Sequence, residues 1–244
     1  MAGTNLILGP SLGTSSFVWS KAAALLPQDW NVANYELPGH GPQVPAAGPL
    51  TISAVADQVV ELADALKMDT FHYAGISLCG SVGLDLALRY PDRLESLAVI
   101  CSGAKIGERQ TWEERAGQVR KQGTPVLVDG SAKRWFAPGY IERDPDSAAR
   151  LLHDVSDADN GSYAYLCEAL AGFDVRDQLG AVSVPTLVLS GEHDGVTPPE
   201  LGRSVADGIP GAKYATITDA SHLAPIEQPD QVAHAMMNLI RESE

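Results

Sequence analysis

Three side chains of the types that cooperate in acyl transfer lie far apart in the sequence, each among turn-forming residues. Ser77 lies in Ala-Gly-Ile-Ser-Leu-Cys-Gly, Asp194 in Ser-Gly-Glu-His-Asp-Gly and His222 in Asp-Ala-Ser-His-Leu. A serine hydroxyl becomes nucleophilic when a histidine takes its proton, and a carboxylate can hold that histidine in the required tautomer. We therefore predict that Ser77 is the nucleophile, His222 the general base and Asp194 the supporting acid.

The segment around Ser77 has the form of a nucleophile elbow. An apolar run over residues 70–76 precedes the serine, and a helical pattern over residues 78–89 follows it. In such an elbow, small residues two positions before and after the serine keep strand and helix from colliding. Gly75 meets this need, whereas Cys79 stands where the pattern has glycine, and we expect its thiol to pack away from the attack path. A serine that caps an ordinary helix is the alternative interpretation.

Asp194 directly follows an apolar run, which places it at the carboxyl edge of a predicted strand. An Asp-Gly pair is also good turn chemistry, so a structural role is the alternative. His222 follows 28 residues later, and the order Ser, Asp, His is that of the α/β-hydrolases. The rival base and acid, His193 and Asp219, are expected to be loop residues. We expect structural roles for the other four histidines. His40 lies in a turn-rich segment, and no partners are expected near His72, His153 and His234.

Acyl transfer also needs hydrogen-bond donors for the oxyanion that develops on the substrate. The amide of Leu78, directly after the nucleophile, is one expected donor. The second is expected from the loop after the first strand, Gly-Pro-Ser-Leu-Gly-Thr. We predict the amide of Ser11, because Pro10 has no N–H to donate.

The remaining pattern predicts the α/β class and, given the motifs, an α/β-hydrolase fold. Buried strands are expected at residues 6–8, 30–36, 70–76, 97–101, 186–189 and 214–217. Helices are expected at residues 16–26, 53–66, 78–89, 200–207 and 231–240. This alternation predicts a mostly parallel sheet of about six strands with helices on both faces.

The stretch 105–179 interrupts the alternation and is predicted to be a helical cap inserted into a core formed by residues 1–104 and 180–244. It carries ten of the seventeen Lys and Arg residues of the chain. Solvated helices explain any one of these cations, but as a set they favour an anionic substrate.

Composition limits the partners and the location. Seventeen Lys and Arg against 31 Asp and Glu give a net charge of −14, which repels nucleic acid and anionic membranes. No apolar run is long enough to span a membrane, and no signal peptide is evident, so we expect a cytoplasmic protein. The three cysteines have no metal-type spacing. We expect no disulfide, no metal and no cofactor.

Several segments together resemble 3-oxoadipate enol-lactonases, α/β-hydrolases of bacterial aromatic catabolism. The resemblance spans nearly the whole chain and includes Ser-Leu-Gly-Thr at 11–14, Leu-Pro-Gly-His-Gly at 37–41, Arg-Trp-Phe at 134–136, and residues 163–170, 220–223 and 226–229. Members of the α/β-hydrolase superfamily usually have an antiparallel strand pair before the first parallel strand, and we expect no such pair here because that strand is predicted within a few residues of Met1. The strand at 30–36 is therefore expected at an open edge, where a homo-oligomer can pair.

The resemblance implies a small enol-lactone substrate with a carboxylate arm, opened to 3-oxoadipate. Arg134 is then expected to bind the carboxylate and Trp135 to shape the pocket, with Arg109 and Lys133 as alternative cations. An Arg134 side chain that lies on a packed Trp135 as cap structure is the competing interpretation. A carboxylesterase or carbon–carbon hydrolase with the same triad is the alternative enzyme, and a ligand-binding receptor with little turnover is the alternative of another class.

Overall fold

The computed structural model describes residues 3–243, which form one six-stranded parallel sheet with helices around it. The strand order is β2-β1-β3-β4-β5-β6, and every neighbouring pair is parallel. The strands are β1 (Asn5–Gly9), β2 (Asn31–Asn34), β3 (Phe71–Ile76), β4 (Leu94–Ile100), β5 (Thr186–Gly191) and β6 (Lys213–Ile217). The predicted fold class is confirmed, and β2 lies at an edge of the sheet as expected.

Eleven α-helices lie within the described residues. They are α1 (Ser20–Ala23), α2 (Ile52–Ala65), α3 (Leu78–Arg89), α4 (Arg109–Gln122), α5 (Val128–Trp135), α6 (Tyr140–Arg143), α7 (Pro145–Asp157), α8 (Asn160–Gly172), α9 (Pro199–Gly208), α10 (Ala224–Glu227) and α11 (Pro229–Ser243). Short 3₁₀ turns occupy Ser16–Trp19, Pro91–Arg93, Thr124–Leu127 and Arg176–Ala181.

The core lies on both sides of the central strands. All six residues of β3 are buried, which explains its nearly continuous apolar sequence, since a parallel strand is covered on both faces. Right-handed crossovers put α2, α3 and α9 on one face. On the other face α1 and α11 contact each other, and α11 packs on β4 and β5.

Two expectations about element bounds need correction. The helix expected at residues 16–26 is a 3₁₀ turn followed by α1, which ends at Ala23. Pro27 lies just beyond, and a proline disfavours helical backbone in the residue before it. The strand expected to begin at residue 97 begins at Leu94, because parallel pairing with β3 continues to Phe71 through an irregularity in register.

Residues 105–179 hold α4 to α8 and no described strand. Within this segment α4 packs along α8. The division of the chain into a core and a cap stays a prediction. Among residues 3–243, no helix combines the length and the apolar character needed to cross a membrane.

Parallel strands end at one edge of the sheet, and this edge gathers the predicted site residues. Ser11 follows β1, Ser77 follows β3, Asp194 follows β5 and His222 follows β6. Ligands of open parallel sheets bind outside this edge, so the topology brings these residues to the position where catalysis is expected.

Candidate active site

Ser77 lies in strained backbone between β3 and α3. Its φ of 55° and ψ of −118° are outside the regions that non-glycine residues prefer. A Cβ on Gly75 would lie 2.1 Å from the carbonyl oxygen of Cys79, so only glycine fits there. The Ser102 hydroxyl donates to the Ser77 carbonyl over 2.6 Å and fixes the turn from behind. Residues around the turn thus hold the serine in a conformation it would not adopt alone.

Asp194 and His222 form a buried pair. The His222 Nδ1 atom lies 2.9 Å from Asp194 Oδ2, and both side chains are at most 2% exposed. The Thr197 hydroxyl donates to Asp194 Oδ2 over 2.6 Å, while the amides of Val196 and Thr197 donate to Oδ1. The carboxylate therefore orients Nδ1 as a donor and leaves Nε2 as the basic nitrogen.

These contacts keep Asp194 ionised. Burial raises the pKa of the Asp194 carboxyl, but the charge of His222 and the hydrogen bonds from His222 and Thr197 together hold that pKa below its ordinary value. A carboxylate charged at neutral pH can stabilise the imidazolium that forms when His222 accepts a proton.

The loop that carries His222 closes tightly on the end of β5. A Cβ on Gly191 would lie 2.0 Å from the carbonyl oxygen of Ser221, so a side chain at this position would push the loop away. The His193 amide donates to the Ala220 carbonyl over 2.9 Å and continues the contact. Gly191 thus permits the approach of His222 to Asp194.

Ser77 and His222 line one narrow cavity of about 20 Å³ that is partly open to solvent. Its walls also include Ser11, Trp112, Arg115, Ser131, Arg134, Trp135 and Tyr163. A wider groove of about 790 Å³ lies between β2 and α7, but neither Ser77 nor His222 lines it. Glu36, Asp154 and Asp157 in that groove would repel an anionic substrate, so the smaller cavity is the candidate active site.

The two predicted oxyanion donors lie on this cavity or directly beside it. Ser11 lines it, and within the described residues the Ser11 amide donates no hydrogen bond. Leu78 begins α3, so its amide has no acceptor within the helix. His40 Nε2 accepts from the Gly13 amide over 3.1 Å and supports the Ser11 loop. The structural role expected of His40 is therefore to hold the loop that carries Ser11.

Two arginines, Arg115 and Arg134, line the cavity. Only Arg134 was predicted from the sequence to bind substrate. Arg134 lies exposed at the mouth of the cavity, donating from Nε to the Gly130 carbonyl, and Arg115 is half-buried with its guanidinium 4.8 Å from the centre of the Trp112 ring. Within residues 3–243, neither has a carboxylate oxygen within 4.0 Å. Burial and the nearby charge of Arg115 lower the pKa of Arg134. Two guanidinium groups therefore face one cavity without an anionic partner.

The other residues expected to bind substrate are only partly at the cavity. Trp135 lines the cavity, but the arginine that stacks on a tryptophan is Arg115 on Trp112 rather than Arg134 on Trp135. Arg109 pairs with Glu113 at the surface and, like Lys133, does not line the cavity.

The histidines and the rival acid also have defined positions. His193 and Asp219 are exposed outside the cavity, as expected of loop residues. His72, expected to lack partners, contacts Ser96 and Glu95, because parallel pairing brings β3 and β4 side chains together. The sequence interpretation missed Arg115 and Thr197; only the Asp-x-x-Thr spacing of Thr197, which is typical of a carboxylate-capped turn, could have indicated one of them.

Cys79 points into the core rather than into the cavity. It is fully buried, and a Cβ built on Gly9 would lie 2.6 Å from its Cβ, which places the thiol beneath β1. Burial raises the pKa of the Cys79 thiol, so it stays protonated and is a poor nucleophile. A packing role is consistent with this position.

We expect Cys79→Ala to retain kcat/KM for a phenyl ester within about threefold. Loss of one buried sulfur should lower the free energy of unfolding by about 1 kcal/mol. Cys79→Gly should cost about 1 kcal/mol more, because glycine weakens a helix. Ester kinetics and urea unfolding measure both quantities. A folded Cys79→Ala protein with under about a hundredth of parental activity would contradict the packing role.

Comparison with known proteins agrees with this geometry. A model described as "Alpha/beta hydrolase family" matches residues 6–235. The 3-oxoadipate enol-lactonase 2 of Acinetobacter baylyi is 37% identical, over 95% of this chain and 86% of that protein. A putative carbamate hydrolase, RutD, of Agrobacterium fabrum is 27% identical, over 92% of this chain and 88% of that protein.

A solved structure gives the same result in three dimensions. The enol-lactonase from Burkholderia xenovorans LB400 superposes with a TM-score of 0.94 at 34% identity, over 98% of this chain and 92% of that chain. The motifs, the parallel sheet and these matches lead to one conclusion: the chain is a hydrolase that belongs to the α/β-hydrolase family and, within it, to the 3-oxoadipate enol-lactonases.

Proposed function

We propose that this protein opens 3-oxoadipate enol-lactone, a small lactone with a carboxylate arm, to 3-oxoadipate. One observation carries the proposal: Arg115 and Arg134 face the cavity of Ser77 and His222 without a carboxylate partner among the described residues. Arg115 is half-buried, and a partly desolvated cation is stabilised when a ligand supplies an anion. The relatives named as enol-lactonases then indicate which carboxylated ester fits.

Acylation begins at Ser77. His222 Nε2 takes the hydroxyl proton, and Ser77 Oγ forms a bond to the carbonyl carbon of the ring. The amides of Ser11 and Leu78 stabilise the oxyanion, while Asp194 stabilises the imidazolium. The ring C–O bond then breaks, and its oxygen departs as an enolate. The enolate takes the proton held by His222 and becomes the ketone, which leaves His222 neutral for the next step. Because an enolate leaves more readily than an alkoxide, His222 needs to provide little general-acid assistance.

Deacylation repeats these roles with water. His222 takes a proton from a water molecule, and the hydroxide attacks the acyl carbon that is bonded to Ser77. Breakdown returns the proton to Ser77 and releases the second carboxylate of the product. The substrate carboxylate stays on Arg115 and Arg134 throughout, which fixes the lactone carbonyl near Ser77. No metal or cofactor is required by this sequence of steps.

A substrate panel tests the proposal. We expect the purified protein to hydrolyse 3-oxoadipate enol-lactone with a kcat/KM at least about 100-fold above that for an uncharged lactone of similar ring size. Two charge-assisted contacts to the carboxylate supply this difference. The assay follows loss of the lactone by absorbance. Hydrolysis of neutral esters with no preference for the anionic lactone would instead indicate a general carboxylesterase, and preferred cleavage of a carbon–carbon bond would indicate the other enzyme class.

Turnover itself distinguishes an enzyme from a binding protein. A receptor that has kept a hydrolase pocket would bind the lactone and form little product, so many product molecules per protein would discard that interpretation. We expect many turnovers, because the buried Asp194–His222 pair is arranged for general-base catalysis.

A further inference from the structure

Glu227 is a buried carboxylate for which the proposed steps give no role. It ends α10, five residues after His222, and is 5% exposed. Its Oε2 accepts from the Ala137 amide over 2.7 Å, and its Oε1 accepts from the Ser221 amide over 2.9 Å. A buried carboxylate is costly unless hydrogen bonds satisfy it, so each of these bonds supports its presence there.

The two amides belong to segments with different roles. Ser221 precedes His222, whereas Ala137 follows Arg134 and Trp135 by three and two residues. Other bonds cross the same contact: the Ser221 hydroxyl donates to the Arg134 carbonyl over 3.2 Å, and the Leu223 amide donates to the Trp135 carbonyl over 3.3 Å. Glu227 therefore joins the backbone next to the predicted base to the backbone next to the predicted substrate-binding residues.

The surroundings of Glu227 make its charge sensitive to pH. Burial raises the pKa of Glu227 to about 7, although hydrogen bonds from Ala137 and Ser221 and the charge of His222 oppose that rise. The other titratable groups that face it are Tyr140 on α6 and Cys101 after β4, whose pKa values burial and Glu227 both raise. Protonation turns one accepting oxygen into an O–H donor that faces an amide N–H. The link that Glu227 makes between the Ala137 and Ser221 amides, here called the Glu227 bridge, therefore weakens below neutral pH.

We propose that Glu227 is a positioning residue that holds His222 in register with the Arg134–Trp135 segment. This inference rests on the proposed function, because it assigns the base to His222 and substrate contacts to Arg134. The ionised carboxylate completes the Glu227 bridge because it accepts hydrogen bonds from the Ala137 and Ser221 amides at the same time. A misplacement of about 1 Å at a catalytic group can cost about 100-fold in rate, so such a bridge has a measurable effect.

The test replaces Glu227 with Gln, which keeps the size but turns an NH₂ group toward one of the two amides. The main readout is the rate of Ser77 labelling by a fluorophosphonate, in which Oγ bonds to phosphorus, fluoride leaves and His222 takes the proton. This rate does not depend on the natural substrate. We expect it to fall about tenfold to 100-fold, together with kcat for phenyl acetate, while the Gln variant remains folded by circular dichroism.

The pH profile separates positioning from packing. Activity of the parental protein requires ionised Glu227, so protonation of this carboxyl below neutral pH should make its labelling rate fall steeply as the pH is lowered. In Glu227→Gln this position carries no carboxyl to protonate, so the slope of log rate against pH should be shallower than in the parental protein. If this variant does not fold, Glu227→Asp replaces it, because its charged group is one methylene too short to reach both amides and should also slow labelling.

Tyr140→Phe is the matched control. The Tyr140 hydroxyl lies 2.9 Å from Asp144 Oδ2 and 3.3 Å from the Ile226 carbonyl oxygen, near the same contact, and it does not bond to Ala137 or Ser221. We expect its labelling rate to stay within about twofold of the parental rate. Equal losses in both variants, or a Gln variant with parental rate and slope, would overturn the positioning role. Normal labelling without lactone hydrolysis would reject only the proposed substrate, whereas absence of labelling in the parental protein would reject both proposals.

Discussion

Ser77→Ala should fold normally and lose nearly all turnover, with kcat lower by about 10⁴- to 10⁶-fold. The change removes the oxygen that forms the acyl-enzyme, while Gly75 and Ser102 still hold the turn. His222→Ala should lose a similar amount, because the serine and histidine act as one unit. Asp194→Asn should lose about 10⁴-fold, since an amide can donate to Nδ1 and stabilise the wrong tautomer. Lactone hydrolysis under saturating substrate measures kcat.

Ser81→Ala is the matched control for these variants. Ser81 lies one turn further along α3, is fully buried and donates to the Gly103 carbonyl over 2.9 Å, so the change removes a hydroxyl of equal size. Its loss should lower stability by about 1 kcal/mol and leave kcat within a few-fold. Thermal unfolding checks that all variants are folded. More than about a tenth of parental activity in Ser77→Ala would end the serine-nucleophile interpretation.

Arg115→Ala should reduce kcat/KM for the carboxylated lactone by about 10- to 150-fold, the value of one charge-assisted hydrogen bond of about 1.5–3 kcal/mol. Arg134→Ala should have a smaller effect, about tenfold, because Arg134 is exposed at the mouth and water screens its charge. Arg115 is half-buried, where electrostatic interactions are stronger. Steady-state kinetics with the anionic lactone give both values.

A neutral substrate shows whether these losses come from charge. For a phenyl ester of similar size, both alanine variants should stay within about threefold of the parental kcat/KM, because no carboxylate loses its partner. Lys133→Ala is the control, since Lys133 is exposed on α5 next to Arg134 but does not line the cavity. Equal losses on both substrates would mean that the arginines support the structure of the segment 105–179, and no loss on either would mean that the substrate is not an anion.

Local patterns in the sequence determined the class of the fold and were enough to predict a triad. The six predicted runs correspond to β1 to β6. The inner strands are apolar along most of their length because both of their faces are covered, whereas the edge strands β2 and β6, predicted as buried, are largely exposed. Turn residues after β3, β5 and β6 mark the carboxyl ends of those strands. Since parallel strands end at one edge, the order of Ser77, Asp194 and His222 was enough to predict that they meet.

Only the tertiary structure decided how close these groups lie and which other residues join them. The hydrogen bond from Thr197 to Asp194 and the closure of the His222 loop on Gly191 depend on atomic distances that no period in the sequence encodes. The form of residues 16–26 was also decided by the tertiary structure. This segment contacts β1, α10 and α11, and it forms a 3₁₀ turn and a short α1 instead of one longer helix.

The segment 105–179, predicted to be a cap, shows most clearly which features the sequence determines and which the tertiary structure decides. The sequence shows that cations are concentrated in this segment, but it does not show which of them faces the substrate. Arg109 and Arg115 lie on the same helix, α4, and are equally basic. Packing of α4 on α8 turns Arg115 toward the cavity and leaves Arg109 at the surface with Glu113. The Glu227 bridge depends in the same way on docking of the segment around Ala137. Such contacts between residues distant in sequence follow from how helices pack, and local sequence preferences do not specify them.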